Sequence, residues 1–236
     1  MPGGKLVLVA TPIGNLGDLS PRAADALRGA DLWIVEDTRQ SAKLQRLLEL
    51  RIPMSLLNDH TPESRIRELA RQIASGKQAV QLTDGGCPGI SDPGSALADL
   101  CHELGAEVDA IPGPSAVTAA LMLSGFFAQR FAFLGFLPRK PGAARKELER
   151  YRESPLTLVL FESALRTDKL LGVLFEALGD RRYALCREIS KAHQQVFRAR
   201  LPSSPVAGQV PRKGEVTIVV EGLRRGQLDS MEGEVH

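Results

Sequence analysis

The sequence predicts an α/β protein in two parts, a parallel-sheet first half and a mixed α+β second half. Three observations predict it. Through the first half, short apolar runs alternate with helical patterns, the signature of a parallel sheet covered on both faces. Glycine- and proline-rich turns follow the carboxyl ends of several of those runs. After Ser115 the texture changes, and the last apolar runs follow one another through turns, as antiparallel strands do.

In order, strands are expected at Leu6–Ala10, Leu32–Val35, Met54–Leu57, Ala79–Thr83 and Val108–Ile111. Helices are expected at Pro21–Arg28, Ser41–Leu50, Glu63–Ser75 and Ser95–Leu104. Thr61-Pro62 reads as a helix N-cap followed by proline at the first helical position. The second half continues with a helix at Ala116–Leu123, a strand at Phe131–Phe136 and a basic helix at Ala143–Tyr151. Strand Leu156–Phe161 and helix Leu165–Leu178 follow, then strands Tyr183–Arg187, Gln194–Arg200 and Val216–Glu221. The Pro112–Ser115 turn leaves few helical or extended options and marks the boundary. The expected domains are 1–114 and 115–222, with 223–236 as a mobile tail lacking any apolar period.

Composition narrows the classes. The chain has 236 residues, 43% hydrophobic and 25% charged, as in soluble globular proteins. No apolar run approaches the roughly 18 residues of a membrane span, and MPGGKLVLVATP lacks the parts of a signal peptide. Cys87, Cys101 and Cys186 are odd in number and widely spaced, which argues against a disulfide framework. A cytoplasmic location is the resulting expectation. A net charge of +2 neither demands nor excludes nucleic acid. Its distribution says more: Leu137 to Arg152 holds six basic residues, Arg139, Lys140, Arg145, Lys146, Arg150 and Arg152, against Glu147 and Glu149. Such a segment is either a phosphate-binding face or a solvated helix laced by i,i+4 pairs.

Several chemistries are excluded by motif. There is no GxxxxGK[ST], no GxGxxG in the first turn, no GxSxG elbow and no HExxH. His60, His102, His193 and His236 are scattered, so no metal site is expected. What stands out is LTDGGCPGISDPG at 82–94, a stiff glycine-rich loop with a carboxylate, Asp84, at a strand end. Ligands of open α/β sheets bind there. The alternative is that Asp84 caps its own loop. The turns at 10–18 and 111–116 repeat the device. VEDTR at 35–39 places Glu36, Asp37 and Arg39 after the second strand, either in the same site or as a polar lead into the cap of the Ser41 helix. REISKAH at 187–193 offers Glu188 and Lys191, or else a surface strand. The aromatics Phe126, Phe127, Phe131 and Phe133 read as core; Phe136, beside the basic run, is the exception.

The motifs ATPIGNLGDLS, VEDTR, DGGCPGISDPG, IPGPSAV, FLGFLPRK, LVLFES, REISKAH and KGEVTIVVEG occur in this order over about residues 5–222. Together they resemble the bacterial 16S rRNA cytidine 2′-O-methyltransferase family, of the tetrapyrrole-methylase superfamily. The resemblance implies a two-domain tetrapyrrole-methylase-like fold that binds S-adenosylmethionine in the interdomain cleft and forms a homodimer. It implies cofactor contacts at Pro12, Asp84, Cys87, Ser115, Ala116, Phe161, Glu162 and Thr217. It implies 16S rRNA of the small subunit as substrate; the clustering of basic residues then makes Arg139, Lys140, Arg145 and Lys146 the candidates for RNA contact. Catalytic candidates are Glu36, Asp37, Arg39, Glu188 and Lys191, in no fixed order.

Some positions depart from the family pattern. Family members often read DAGTPGISDPG, where this chain has Gly85 and Cys87, and FYESPHR, where it has FESALR at 161–166. The role of that histidine is therefore not carried over. Many members also continue into a helical extension beyond the final strand, which leaves the mode of RNA docking open here. Two other readings remain: a same-fold methylase acting on a tetrapyrrole, which the basic run disfavours, and a non-catalytic S-adenosylmethionine-binding module.

Overall fold

The structure is a computed structural model describing residues 3–206 and 209–224. It divides into two compact units, the first ending at Ser115 and the second beginning at Ala116.

In the first unit the strands are β1 (Lys5–Val9), β2 (Leu32–Val35), β3 (Met54–Leu56), β4 (Gln78–Leu82) and β5 (Glu107–Ile111). They form one sheet in the order β3-β2-β4-β1-β5, and every pair is parallel. Helices α1 (Pro21–Gly29), α2 (Thr38–Leu47), α3 (Glu63–Ala74) and α4 (Ser95–Glu103) connect them. One face buries Leu6, Leu32, Ile34 and Ala79 against Leu69, Ile73, Leu97 and Cys101. The other buries Val9, Trp33, Val35, Val80 and Leu82 against Ala23 and Leu27. All four residues of β2 are buried, which is why it reads as a continuous apolar run. The Trp33 indole N–H, with no water to meet, donates to the Leu27 carbonyl at 3.0 Å.

In the first unit the caps of two helices differ from the sequence expectation. α1 has the expected form, with Pro21 at its first turn and the Ser20 hydroxyl accepting from the Ala23 amide. α2, however, begins at Thr38 rather than Ser41, because the Asp37 carboxylate caps it by accepting from the Arg39 amide. Thr61 does not cap α3. Its hydroxyl accepts from the Asn58 amide in the preceding turn, and Pro62 stands at the N-cap with no side-chain bond.

The second unit holds α5 (Ala116–Ser124), β6 (Phe131–Phe136), α6 (Pro141–Leu148), β7 (Thr157–Ser163), α7 (Thr167–Leu178), β8 (Arg182–Arg187), β9 (Gln195–Arg200) and β10 (Glu215–Val220). The sheet order is β6-β7-β10-β8-β9. Only β6 and β7 are parallel, and the remaining pairs are antiparallel. A bulge lies between Phe133 and Gly135, where Gly135 takes a φ of +60°. Leu158, Leu160, Leu185, Val216 and Ile218 pack with Leu148, Leu171 and Leu174 of α6 and α7. α5 lies against β8 and β10. Residues 223–224 are not loose: Leu223 is buried and donates to the Ser154 carbonyl at 3.0 Å, and Arg224 pairs with Glu221. The rest of the expected tail, 225–236, lies outside the described residues. Among the described residues, no helix is long and apolar enough to cross a membrane.

Candidate methyl-transfer site

Three glycine- and proline-rich turns meet beyond the carboxyl ends of the adjacent strands β4, β1 and β5. Thr11 and Gly86 exchange backbone hydrogen bonds of 2.9 and 3.0 Å, and the Thr11 hydroxyl donates to the Thr83 carbonyl at 3.1 Å. This joins the first turn to the long loop. The Cys87 thiol donates to the Pro114 carbonyl at 3.6 Å, joining the loop to the third turn. The packing is tight at two of the glycines. A Cβ on Gly85 would lie 3.2 Å from the Pro12 carbonyl oxygen, and one on Gly113 would lie 3.0 Å from the Ala10 Cβ. Pro12, Asp84, Cys87 and Ser115 are therefore drawn to one end of the first sheet.

Carboxylates collect beside these turns. Val35 of β2 pairs with Leu82 of β4, so Glu36 and Asp84 leave neighbouring strand ends. The Asp84 amide donates to Glu36 Oε2 at 3.4 Å. Burial pushes the Glu36 carboxyl above the usual range, and Asp84, Asp59 and Asp37 push it further, while the Asp84 amide opposes them. Asp84 is raised by burial and then by Asp37. Asp92 is raised most, to about 6, by burial and then by Glu36. The Cys87 thiol is pushed up by burial and by Asp92, which keeps it a neutral donor. Asp37 behaves oppositely. Arg39 grips it with side-chain bonds of 2.7–3.2 Å, holding its carboxyl at about 2. Even so paired, the Arg39 side chain stands 88% exposed.

Comparison with known proteins adds to this geometry. The sequence profile described as Tetrapyrrole (Corrin/Porphyrin) Methylases matches residues 5–204. "Ribosomal RNA small subunit methyltransferase I" of Thermotoga maritima is 39% identical, covering 93% of this chain and 99% of that protein. The protein of the same name from Bacillus subtilis is 36% identical over 97% of this chain and 79% of its own length. The chain belongs to this methyltransferase family. Solved structures agree on the fold. Diphthine synthase superposes with a TM-score of 0.69 at 16% identity, covering 98% of this chain and 94% of its own. Uroporphyrin-III C-methyltransferase from Thermus thermophilus, complexed with S-adenosylhomocysteine, gives 0.64 at 20% identity, covering 92% and 97%.

In this methyltransferase the second unit carries the other expected site residues. Phe161 and Glu162 lie at the carboxyl end of β7, and Thr217 of β10 pairs across from Phe161. Ala116 opens α5. Arg139, Lys140, Arg145 and Lys146 are exposed around α6, which begins two residues earlier than expected, at Pro141. Arg145 faces Glu149 at 3.5 Å and Glu176 at 3.8 Å, so part of its charge is met within the unit.

Glu188 and Lys191 brace the chain. Glu188 Oε1 accepts from the Glu215 amide and the Lys191 ammonium, both at 2.9 Å. The Glu215 amide and Lys191 hold the Glu188 carboxyl below its usual range. For Lys191, burial works against the charge but Glu215 and Glu188 outweigh it, and the pKa is raised. A carboxylate held ionised and an ammonium held protonated are both poor bases. Arg187 completes the strap by donating to the Lys213 and His193 carbonyls.

Two features escaped the sequence reading. Asp92 lies within the DGGCPGISDPG motif, where a second carboxylate was the available signal. Thr83 precedes Asp84. Its buried hydroxyl lies close to Asp92 yet makes no hydrogen bond of ordinary geometry.

Proposed function

We propose that this protein transfers the methyl group of S-adenosylmethionine to the 2′-hydroxyl of a cytidine in 16S rRNA of the small ribosomal subunit. The observation that carries the reading is the convergence of three stiff turns on partly buried carboxylates, in a chain 36–40% identical over most of its length to proteins named as small-subunit rRNA methyltransferases. The tetrapyrrole alternative rests on the family description matched over residues 5–204 and on fold-level neighbours of 15–20% identity, whereas the relatives of 36–40% identity are named as rRNA methyltransferases.

The turns suit a cofactor that carries an amino acid, a ribose and an adenine and needs no phosphate cradle. Backbone groups crowd against glycines, the Asp84 carboxylate offers a partner for an ammonium, and the Thr83 hydroxyl is unspent. Pro12, Asp84, Cys87 and Ser115 are assigned to the cofactor in the first unit, with Ala116, Phe161 and Thr217 in the second. S-adenosylmethionine supplies a methyl carbon on a positively charged sulfur, open to in-line attack. The protein's own part is to hold the ribose oxygen about 3–3.5 Å from that carbon and aligned, and to receive the hydroxyl proton.

Glu36 is assigned the proton. Its raised pKa makes it a stronger base than Asp37, which Arg39 holds near 2, or Glu188, which is also lowered. Asp37 caps α2 and occupies the Nε–Nη2 edge of Arg39, which leaves the exposed Nη1 side of the guanidinium to meet a phosphate of the target strand. Glu188 and Lys191 are given no chemical step. The reading includes a cytoplasmic homodimer.

The test is methyl transfer to purified small subunits, with the modified ribose mapped by its resistance to alkaline cleavage. Glu36→Gln, which still accepts the Asp84 amide, should slow single-turnover transfer by roughly 10²-fold or more. Asp84→Ala should weaken cofactor binding in calorimetry. Absence of any modified cytidine in the presence of bound cofactor would overturn the proposal.

A further inference from the structure

Helix α2 carries three cations on one side. Arg39, Lys43 and Arg46 follow one another at i, i+4 and i+7, the spacing that shares a helix face, and all three are exposed. The opposite face is spent on the fold: Ser41 and Gln45 are buried, and Leu44 and Leu48 pack into the core that holds Ala23 and Leu27. Between Thr38 and Leu47 there is no acidic residue, and α2 is the one helix among the described residues that holds lysine or arginine without an acid. The difference shows in the partners. On α1, Arg28 meets Asp25; on α3, Arg65 meets Glu68 and Arg67 meets Glu63. On α6, Arg145 faces Glu149 and Glu176. On α2, only Arg39 has an ion pair among the described residues, with the capping Asp37. Lys43 donates to the neutral Gln40 side chain at 2.6 Å, and Arg46 Nε donates to the Ala42 carbonyl one turn back at 3.3 Å.

This arrangement does nothing for the helix itself. Like charges at i,i+4, as in Arg39 and Lys43, repel. Arg39 stands in the first turn, where the helix dipole is already positive and anions are favoured. What the stripe does reach is the carboxylate cluster. Burial and then Asp37 raise the Asp84 carboxyl, and Arg39 and Lys43 pull it back. Asp37 caps the same helix, and Glu36 precedes it. A phosphate strand drawn toward Glu36, Asp84 and Asp92 would be repelled by them, so an RNA that delivers a ribose there needs cations along its path. From Arg39 to Arg46 the helix rises about 10 Å, long enough to meet more than one phosphate of a strand that passes over it.

Resting on the methyltransferase reading above, we propose that the exposed face of α2 is an RNA-binding rail, on which Arg39, Lys43 and Arg46 hold backbone phosphates of the strand that carries the target nucleotide. Arg39, nearest Glu36 in the chain, offers its Nη1 side to the phosphate closest to the target ribose. Lys43 and Arg46 take phosphates farther along the strand. Such contacts set position and direction and read no base. The rail, Glu36 and Asp84 all belong to the first unit. It is separate in the chain from the basic segment between Leu137 and Arg152, and it supplies the counter-charge that a carboxylate-lined site lacks.

The experiment measures binding of the full chain to small subunits and to protein-free 16S rRNA over a salt series, beside methyl transfer to the subunits. Lys43→Ala and Arg46→Ala should each flatten the slope of log affinity against log salt by roughly 0.7–0.9, and together by about twice that. The loss of transfer in the double variant should fall on KM for the subunit more than on kcat. Arg71→Ala is the control: it removes an exposed arginine from α3, which packs on the opposite face of the sheet, and should leave the slope alone. A double variant with the slope of the wild type would overturn the proposal and leave the stripe as a solvated face. A slope flattened on subunits but unchanged on protein-free rRNA would overturn it as well, by assigning α2 to a subunit protein. Either result leaves methyl transfer intact, whereas failure of the methyltransferase reading would appear as no transfer by the wild type to subunits that it binds.

Discussion

The Asp84 amide donates to Glu36 Oε2 at 3.4 Å, linking the ends of two neighbouring parallel strands through one carboxylate. That bond fixes the direction in which Glu36 points, and it is the one contact that opposes the rise in its pKa. Around it stand Asp84, Asp92, Asp59 and Asp37, with Arg39 committed to Asp37. Like charges under partial burial cannot all ionise cheaply. Glu36, Asp84 and Asp92 therefore keep their protons to higher pH than exposed carboxylates do, and each is the stronger base for it once ionised.

Asp92 gives this a measurable consequence for stability. Its carboxyl, facing Glu36, Asp84, Asp59 and Thr83, titrates at about 6 in the fold, against about 4 in an unfolded chain. Between those values the native state binds the additional proton, so stability falls as pH rises through that window. The loss is complete above about pH 6 and is on the order of 2 kcal/mol after allowance for solvent screening. Asp92→Asn has no charge to bury. It should melt with the wild type at pH 4 and above it at pH 8. Coincident melting curves at pH 8 would mean that the carboxyl is solvated.

The REISKAH segment yields the opposite kind of prediction. Glu188 has a φ of +51° and Ser190 of +64°, conformations an ordinary residue keeps only when its surroundings insist. Gly214 has no room for a Cβ, which would lie 2.6 Å from Glu188 Oε1. Glu188→Ala should therefore lower the melting temperature by roughly 2–4 °C and keep turnover per folded molecule. A variant that melts normally but loses single-turnover transfer would return Glu188 to the chemistry.

These two cases show where the sequence was readable. The parallel strands were legible because burial on both faces turns β2 and β4 into near-continuous apolar runs. The turns were legible because glycine and proline cluster where chain segments approach closely, as at Gly85 and Gly113, where an added Cβ would be tight against Pro12 and Ala10. The start of α2 was not, since Asp37 and Ser41 are both acceptable caps and only the fold decides which meets a free amide. Nor was the burial of Asp92, which depends on how its loop folds back over Thr83. The bracing role of Glu188 was hidden for a similar reason: its partner Glu215 lies on another strand.

The basic face of α6 gives the last prediction. Each lysine or arginine on an RNA phosphate contributes about 0.7–0.9 to the slope of log affinity against log salt. Lys146 is exposed and has no ion-pair partner among the described residues. Arg145 already faces Glu149 and Glu176, so its charge is partly met before any RNA arrives. Lys146→Ala should thus flatten the slope by nearly one phosphate contact, and Arg145→Ala by less, although the two are neighbours in sequence. Binding to small subunits over a salt series measures both. Exposed pairs of this kind are worth little to folding, so melting temperatures should barely change. Slopes equal to wild type in both variants would leave α6 as a solvated helix whose last-turn cations merely complement its dipole.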